Sequence, residues 1–324
     1  MLALLKKHKT VPGLTAVSLE ENGIAICRIV RGPERRTELR QQTGPERQPV
    51  LTLCEFYPYA KEVDLAEAMM RLGRVHQLDA SRCTTLLGSE DYKLLLTKAP
   101  QVADDELAAA LRWQIKDLID CPADEITLDV FDVQRDESPG QAREVYVVTA
   151  RNETIQQRAD LFTKAQVKLQ IIDIPELAQR NIAALLAEDQ QGVALLWLHS
   201  HGGLITLTRQ GTLYLSRNLK TGMGALQDTA RSEQALETII LEMQRSLDYY
   251  ESHYHLPPIQ QLVLAPCGDS GTQLMERMVE QLGIQTRQLD LEQILQIKTK
   301  MPENWQQIHY LAIGAALRQE LPEI

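Results

Sequence analysis

Four short stretches of the chain hold residues whose types and spacing could do chemistry. Cys267-Gly268-Asp269-Ser270-Gly271 carries the Gly-Asp-Ser-Gly order of a serine nucleophile loop. That chemistry needs a histidine base and an orienting acid, in the chain order His, Asp, Ser on paired β-barrels. Here the stretch joins a predicted strand to a predicted helix, so it reads as a loop with Asp269 or Ser270 as helix N-cap. His199-Ser200-His201 sets two imidazoles on one side of an extended segment, yet no third ligand stands nearby in the sequence. These histidines read as solvent-side turn residues. Lys220-Thr221-Gly222-Met223-Gly224 has two glycines whose amides could approach a phosphate, without the G-x-x-x-x-G-K-[ST] spacing of a P-loop. It reads as the entry to a long helix. Cys27, Cys54, Cys83, Cys121 and Cys267 are odd in number and widely spaced, with no C-x-x-C pair. That excludes a disulfide framework and a zinc knuckle and leaves small core residues in a reducing compartment, with no metal expected. Trp113 and Trp197 are expected as packing residues.

The elements that position these residues follow from apolar periodicity and turn chemistry. Leu14–Leu19 and Ile24–Val30 read as strands joined by Glu21-Asn22-Gly23, a hairpin signal because Asn and Gly tolerate positive φ. Val50–Phe56 supplies a third strand and Asp64–Leu78 a helix. The second half repeats this grammar. Val193–Leu198 is a buried strand, His201-Gly202-Gly203 a turn, Leu204–Thr208 the return, and Leu213–Ser216 the third strand after Gln210-Gly211. Leu236, Ile240, Met243, Leu247, Tyr250 and Tyr254 alternate steps of four and three, which predicts a helix over Ser232–Tyr254 stopped by Pro257-Pro258. Ile259–Ala265 (strand), Thr272–Leu282 (helix), Ile284–Leu289 (strand) and Ile308–Leu317 (helix) complete that half. The first half is expected to end as strand Val145–Ala150, helix Thr154–Gln166, strand Leu169–Ile174 and helix Pro175–Ala187. Between its parts lies a helix begun by Asp104-Asp105, with Leu107, Leu111, Ile115 and Leu118 on one stripe, followed by strand Ile126–Val133 and the polar loop Asp136–Gln141. Strand meander, helix, strand, helix, strand, given twice, is the plan of a duplicated α/β fold with a cleft between its lobes. The first lobe is expected over 1–188, with an inserted subdomain at about 98–140. The second is expected over 189–324, with the last helix, 308–318, packing back on the first.

Composition narrows the function classes. The 324 residues carry 34 Lys and Arg against 44 Asp and Glu, a net charge of −10 that argues against nucleic acid as a partner. No apolar run approaches the roughly 20 residues of a membrane-spanning helix. Met1–Lys9 has only a short apolar stub before Lys6, so no signal peptide is expected, and the chain is expected to reach Ile324 without an anchor. A cytoplasmic protein follows. Residues 1–50 are net basic while the remainder is acidic, and that end could face an anionic membrane surface. The plainer alternative is a solvated loop around Arg31–Arg47.

Several ordered fragments then resemble one family. Glu106-Leu107, Arg112-Trp113-Gln114 and Asp117-Leu118-Ile119 followed by Asp124–Asp132, then Asp173-Ile174-Pro175, Arg245-Ser246-Leu247-Asp248-Tyr249-Tyr250 and Ala312-Ile313-Gly314-Ala315-Ala316-Leu317-Arg318, resemble PilM-like proteins of type IV pilus assembly. Within that family the chain is most similar to the branch serving mannose-sensitive haemagglutinin (MSHA) pili. The resemblance implies an actin/Hsp70-type fold with ribonuclease H-like lobes, in which ATP and Mg²⁺ would lie between the lobes. Their phosphates would contact an Asp-x-Gly turn in the first hairpin of each half, where the carboxylate organises the metal and the glycine admits backbone N–H groups. In this sequence those turns become Ser18-Leu19-Glu20 and Trp197-Leu198-His199, without either acid or either glycine. The adenosine loop becomes Ala265-Pro266-Cys267-Gly268 and keeps one glycine. Each charge-assisted phosphate contact is worth about 1.5–3 kcal/mol, so losing several takes a micromolar site to millimolar or weaker.

The expectation is therefore a pseudo-ATPase scaffold with no bound cofactor and no reaction of its own, peripheral at the inner membrane among other pilus assembly proteins. As the resemblance implies, its partner is the short N-terminal cytoplasmic segment of a single-pass, PilN-like inner-membrane protein. That segment would lie in a groove beside the insertion's helix, expected over Asp104–Ile119, where Arg112 and Lys116 stand one turn apart and could meet a peptide carboxylate or carbonyl. Read singly, both are plain surface charges. Two other classes stay open. One is an active actin-like ATPase of pilus assembly or type II secretion, with Gly222 and Gly224 replacing the missing motifs. The other is a sugar-kinase-like enzyme with Asp129, Asp132 or Asp173 as general base.

Overall fold

Strand Val193–Leu198 shows how the sequence builds a doubly covered sheet. Val193, Leu195 and the half-buried Trp197 face one hydrophobic cluster, while Ala194, Leu196 and Leu198 face another. A strand with both faces covered must be apolar at every position, which is what its unbroken Val-Ala-Leu-Leu-Trp-Leu run provides. The computed structural model describes residues 10–31, 48–59, 64–133 and 143–319, with the side chains of Asp269 and Ser270 left aside. The expected features of Met1–Lys9, most of Arg31–Arg47 and Asp136–Gln141 lie outside the described residues.

The first lobe opens with an antiparallel meander of β1 (Leu14–Glu20), β2 (Gly23–Val30) and β3 (Val50–Pro58), followed by helix α1 (Leu65–His76). Register pairs Glu20 with Gly23, so the β1–β2 turn is Glu21-Asn22. None of these residues has positive φ. The Asn-Gly hairpin reading therefore placed the turn correctly but for the wrong reason, since Gly23 is the first residue of β2. Parallel strands β4 (Arg82–Leu86) and β8 (Leu169–Asp173) extend the sheet on the other side of β1. The second lobe repeats the plan. Meander β9 (Val193–Leu198), β10 (Gly203–Arg209) and β11 (Thr212–Leu219) is continued by parallel β12 (Gln261–Leu264) and β13 (Gln285–Gln288) beside β9. Short helix α5 (Met223–Gln227) follows β11. Helices α6 (Ser232–Tyr254) and α7 (Thr272–Leu282) cover its outer face at their expected bounds. The N-cap of α7 is Gly271, reached through a 3₁₀ turn, rather than Asp269 or Ser270.

The inserted unit is a three-stranded sheet ordered β5 (Tyr92–Lys98), β7 (Glu144–Arg151), β6 (Ile126–Asp132), with helix α2 (Asp104–Gln114) on one face. It draws on residues beyond the expected 98–140. The strand at 144–151 is the middle strand of this small sheet and not part of the large one, where β4 holds the place expected for it. One face of the sheet sets Val145 and Val147 against Leu107, Leu111 and Ile115 of the α2 segment. The other sets Leu94, Leu96, Phe131 and Tyr146 against the second lobe. There the Tyr146 and Tyr254 hydroxyls both donate to the Tyr214 carbonyl, at 3.1 and 2.8 Å. Helix α2 stops at Gln114, four residues before Leu118, which leaves the apolar stripe and is 58% exposed.

After helix α3 (Asn152–Lys164), which packs with α1 on the outer face of the first lobe, helix α4 (Pro175–Ala183) crosses beneath the second large sheet. The chain then returns. β14 (Gln296–Ile297) pairs in parallel with β3, and helix α8 (Trp305–Ala316) packs on α4 and on the inner face of the first sheet. One hydrophobic cluster thus takes side chains from both large sheets around α4 and α8. Each fully buried aliphatic side chain there contributes about 1.5–3 kcal/mol.

The α4–α8 crossing is close. A Cβ at Gly314 would sit 2.3 Å from the Ala178 carbonyl oxygen, and Asn181 Nδ2 donates to the Gly314 carbonyl at 3.0 Å. Backbone cannot yield as a flexible side chain does. We expect Gly314→Ala to lower the unfolding free energy by about 2 kcal/mol or more, read as a lower urea midpoint with unchanged slope. A midpoint equal to wild type would show that the helices separate freely.

Candidate functional site

The two hairpin turns meet at the mouth of the interlobe cleft. Ser18 and Glu20 end β1, Trp197 ends β9, and His199 follows it, so the four residues occupy the corresponding places in the two lobes. Each is engaged locally. The Ser18 hydroxyl donates to Glu20 Oε1 at 2.6 Å, and burial holds the Glu20 carboxyl above the usual carboxylate range despite that bond. The Trp197 ring packs at 5.0 Å from the His199 ring and stacks at 6.5 Å on Tyr310 of α8. Across the mouth His201 Nε2 stands 3.9 Å from Glu21 Oε1, both well exposed, a contact of small energy. No Lys or Arg lies on either turn.

An anion site at a loop requires backbone N–H groups without internal acceptors. Of the two glycines expected to replace the missing motifs, Gly224 does not offer one, nor does Met223 between them. Met223 N–H donates to the His199 carbonyl at 2.8 Å and Gly224 N–H to the Ser200 carbonyl at 3.0 Å. A Cβ at Gly222 would lie 2.2 Å from the His199 oxygen, so this glycine exists to let its loop press on the turn. At the adenosine loop the Gln288 side-chain amide faces Cys267 and Gly268; turned so that its oxygen points at them, it accepts from Cys267 N–H at 3.0 Å and Gly268 N–H at 3.3 Å. Sequence reading missed Gln288, because it lies on β13 and only the parallel pairing with β12 brings it there. Burial pushes the Cys267 thiol up to about 11, so it is no nucleophile at neutral pH.

A hollow of about 350 Å³ lies beside that loop, lined by Pro266, Gly268, Gln288, Asp290 and the start of α8 from Asn304 to Gln307. Its amide side chains are Gln288, Asn304, Gln306 and Gln307, its one charged residue is Asp290, and no basic residue is there to balance phosphate charge. Gln306 is committed within it, donating to Asp290 Oδ1 at 3.0 Å and accepting from Leu291 N–H at 2.8 Å.

The candidate general bases sit elsewhere or are held. Asp173 is buried at the end of β8, where Arg318 Nη1 pairs with its Oδ1 at 2.9 Å. Burial raises its pKa, with Arg318 working against that rise. Arg318 belongs to the terminal fragment of the sequence resemblance, where it had no role assigned. Asp129 and Asp132 lie on β6 of the subdomain, away from the cleft mouth.

Those two aspartates line a groove of about 220 Å³ between α2 and the edge strand β6. Leu107 and Ala108 form its helix side, Leu128, Val130 and Phe131 its strand side, and Asp104, Asp129 and Asp132 its rim, with Arg143 bridging Asp104 and Asp132. Arg112 is not at this groove. Its Nη1 donates to the Ile126 carbonyl at 2.7 Å and to the Ala123 carbonyl, fastening α2 to the start of β6. The expectation that it meets a peptide carboxylate gives way to an internal role, because two carbonyls already hold the guanidinium. Lys116 lies past the end of α2, with its ammonium 5.9 Å from the Trp113 ring centroid. Trp113 is 73% exposed and so is not the packing residue its type suggested.

Comparisons with known proteins bear on the whole chain. Residues 93–229 match the model of the type IV pilus assembly protein PilM family. No curated protein matches the sequence. Among solved structures, the PilM-PilN type IV pilus biogenesis complex matches with a TM-score of 0.72 at 17% identity, over 95% of this chain and 98% of that one. The cytoplasmic domain of EpsL, an inner membrane component of the Vibrio cholerae type II secretion system, has a TM-score of 0.49 at 12% identity, over 95% and 96% of the two chains. A Bacteroides thetaiotaomicron protein with an actin-like ATPase fold has a TM-score of 0.48 at 9% identity, over 89% and 94%. The fold is actin-like, as the duplicated sheets indicate.

The Asp173–Arg318 pair makes a pH-dependent prediction. Arg318→Ala leaves a buried carboxylate without its cation and should cost about 3–5 kcal/mol at pH 8. The folded-state pKa of Asp173 is already raised, and removing Arg318 raises it further. A carboxyl raised on folding penalises the folded state above that pKa and ceases to do so once protonated. The deficit of the variant should therefore shrink as pH falls toward 5, measured by urea unfolding of both proteins. A deficit that is constant or grows on acidification would contradict the pairing.

Proposed function

We propose that this chain is a PilM-like scaffold of type IV pilus assembly, MshI-like and serving an MSHA-type pilus. In this reading it works without turning over ATP. It holds the N-terminal cytoplasmic segment of a PilN-like, here MshJ-like, single-pass inner-membrane protein in the groove between α2 and β6. The observation that carries the reading is that groove, which lies inside the 93–229 stretch matched by the PilM family model. Its shape suits a short extended or helical peptide laid between a helix and an edge strand. Its apolar walls would take alternate side chains, and its rim carries three aspartates against one arginine. Cytoplasmic flanks of inner-membrane spans are enriched in Lys and Arg, so rim and peptide have complementary charge. Exposed Trp113 and Leu118 add apolar surface on the same subdomain.

Two further observations support a scaffold rather than an engine. Met223 and Gly224 N–H in the Gly222 loop are bonded within the protein, and the Gln288 amide, turned with its oxygen inward, takes up those of the adenosine loop. The lobes share one core around α4 and α8 and are bridged again by the subdomain. No helix of the described residues is long and apolar enough to cross a membrane, so in this reading the chain is cytoplasmic and reaches the inner membrane through its partner. A second reading, nucleotide binding without hydrolysis, is favoured only by the 350 Å³ hollow at the carboxyl ends of β12 and β13.

The test is peptide binding to a protein whose groove is filled without disturbing the core. Ala108 is exposed on α2 and lines the groove, so Ala108→Trp should fold normally. We expect it to weaken binding of the partner's N-terminal peptide at least tenfold by fluorescence anisotropy, with the unfolding midpoint within about 2 °C of wild type. Arg112→Glu should instead lower stability, since two carbonyls lose their donor. Unchanged peptide affinity in Ala108→Trp would remove the groove from the proposal.

A further inference from the structure

The antiparallel register of β2 and β3 places Cys27 directly opposite Cys54, although they stand 27 residues apart in sequence. Their sulfurs are 4.0 Å apart, and both residues are 0% exposed. Helix α8 lowers His309, also 0% exposed, onto the same spot. The two sulfurs and a ring nitrogen of His309 lie within 4.8 Å of one another. Among the described residues this is the one group of three such side chains gathered in this way. His309 Nδ1 donates to the Trp305 carbonyl at 2.9 Å, whereas its Nε2 is buried without a hydrogen-bond partner. A buried imidazole nitrogen left bare costs about 1–3 kcal/mol and calls for an explanation.

We propose that Cys27, Cys54 and His309 bind a single Zn²⁺ ion, which fastens the returning helix α8 to the first-lobe sheet. Three points within 4.8 Å of one another leave a centre about 2.8 Å or less from each, and small adjustments bring it to the Zn–S and Zn–N distances of about 2.3 and 2.0–2.1 Å. In a tetrahedral zinc site two thiolate sulfurs stand about 3.8 Å apart, close to the separation already present. The Nδ1 bond to a backbone carbonyl fixes the tautomer that turns the Nε2 lone pair toward the ion, as metal-bound histidines do. On binding, each thiol gives up its proton to solvent and each sulfur donates an electron pair to the ion, with no redox change. One dication and two thiolates sum to zero, so an apolar core takes on no net charge. The chain spacing of the cysteines hides all of this, because the ligands come from two strands and a helix nearly 300 residues apart.

The test uses the full chain, purified under argon, reduced and stripped with chelator. We expect Zn²⁺ to bind at one equivalent with submicromolar affinity and to raise the melting temperature by about 4 °C or more at a hundredfold excess over Kd, while Mg²⁺ does neither. Co²⁺ in its place should give thiolate-to-cobalt charge-transfer absorption and tetrahedral d–d bands. Cys54→Ser and His309→Gln should lose or reshape both signals, and Cys267→Ser should keep them. Where a variant does not fold, the wild-type stoichiometry and cobalt spectrum decide. Failure to take up one equivalent, a cobalt spectrum without thiolate bands, signals unchanged in Cys54→Ser, or a Cys27–Cys54 disulfide in the anaerobic protein would each overturn the proposal.

Discussion

Helix α8 has no solvent face over its second half, where every residue from His309 to Leu317 is buried. It lies between the inner face of the first sheet and helix α4, and α4 in turn lies under the second sheet. Such a position admits a helix only if one flank is nearly bare, and the run Ala312-Ile313-Gly314-Ala315-Ala316 provides that flank. Once the helix is seated, the lobes no longer have separate cores. The pairing of β14 with β3, the Arg318–Asp173 ion pair and the Trp197–Tyr310 stack all follow from this return of the chain. Rotating one lobe against the other would expose side chains that this core now keeps dry. The inserted sheet adds a second restraint, with Tyr146 bonded to the Tyr214 carbonyl and His253 3.0 Å from Glu144.

A phosphate site needs backbone donors held open and nearby positive charge, both costly in a folded chain unless a ligand repays them. This protein has settled several of those donors internally, Met223 N–H and Gly224 N–H among them. Gly222 is a glycine so that its loop can close on the second turn, and Gln288 caps the loop that would receive a nucleoside. Glu20 is turned onto Ser18 and His199 onto Trp197. The side chains at the cleft mouth are engaged within their own lobes, which suits the scaffold reading proposed above.

Much of this was legible in the sequence, and the misses have physical causes. Helices 232–254 and 272–282 were readable because each lays one apolar stripe on one sheet and ends at Pro257-Pro258 or at Gly283 in the left-handed region. Strand β4 escaped notice because Arg82-Cys83-Thr84-Thr85-Leu86 buries two threonines and shows no apolar alternation. The segment 144–151 took its place in the reading, since a two-sided apolar strand looks the same whichever sheet it joins. Ser18, Glu20, Trp197 and His199 were named from the family resemblance, and they stand near corresponding ends of β1 and β9. Gln288, Tyr310 and Arg318 were not found, because their contacts depend on sheet pairing and on a chain return that no local pattern encodes. Arg112 misled for a related reason: a cation on a polar helix face looks free until the strand whose carbonyls hold it is in place.

The account stands most directly on the state of the cleft, and calorimetric titration of the full chain with Mg·ATP measures it. With Met223 and Gly224 N–H already bonded, the Gln288 amide set against the adenosine loop and no basic residue on either turn, binding should be absent or weaker than about 1 mM. Saturable micromolar binding, with heat that disappears when Gly268 or Gly222 is replaced by alanine in a folded variant, would contradict it.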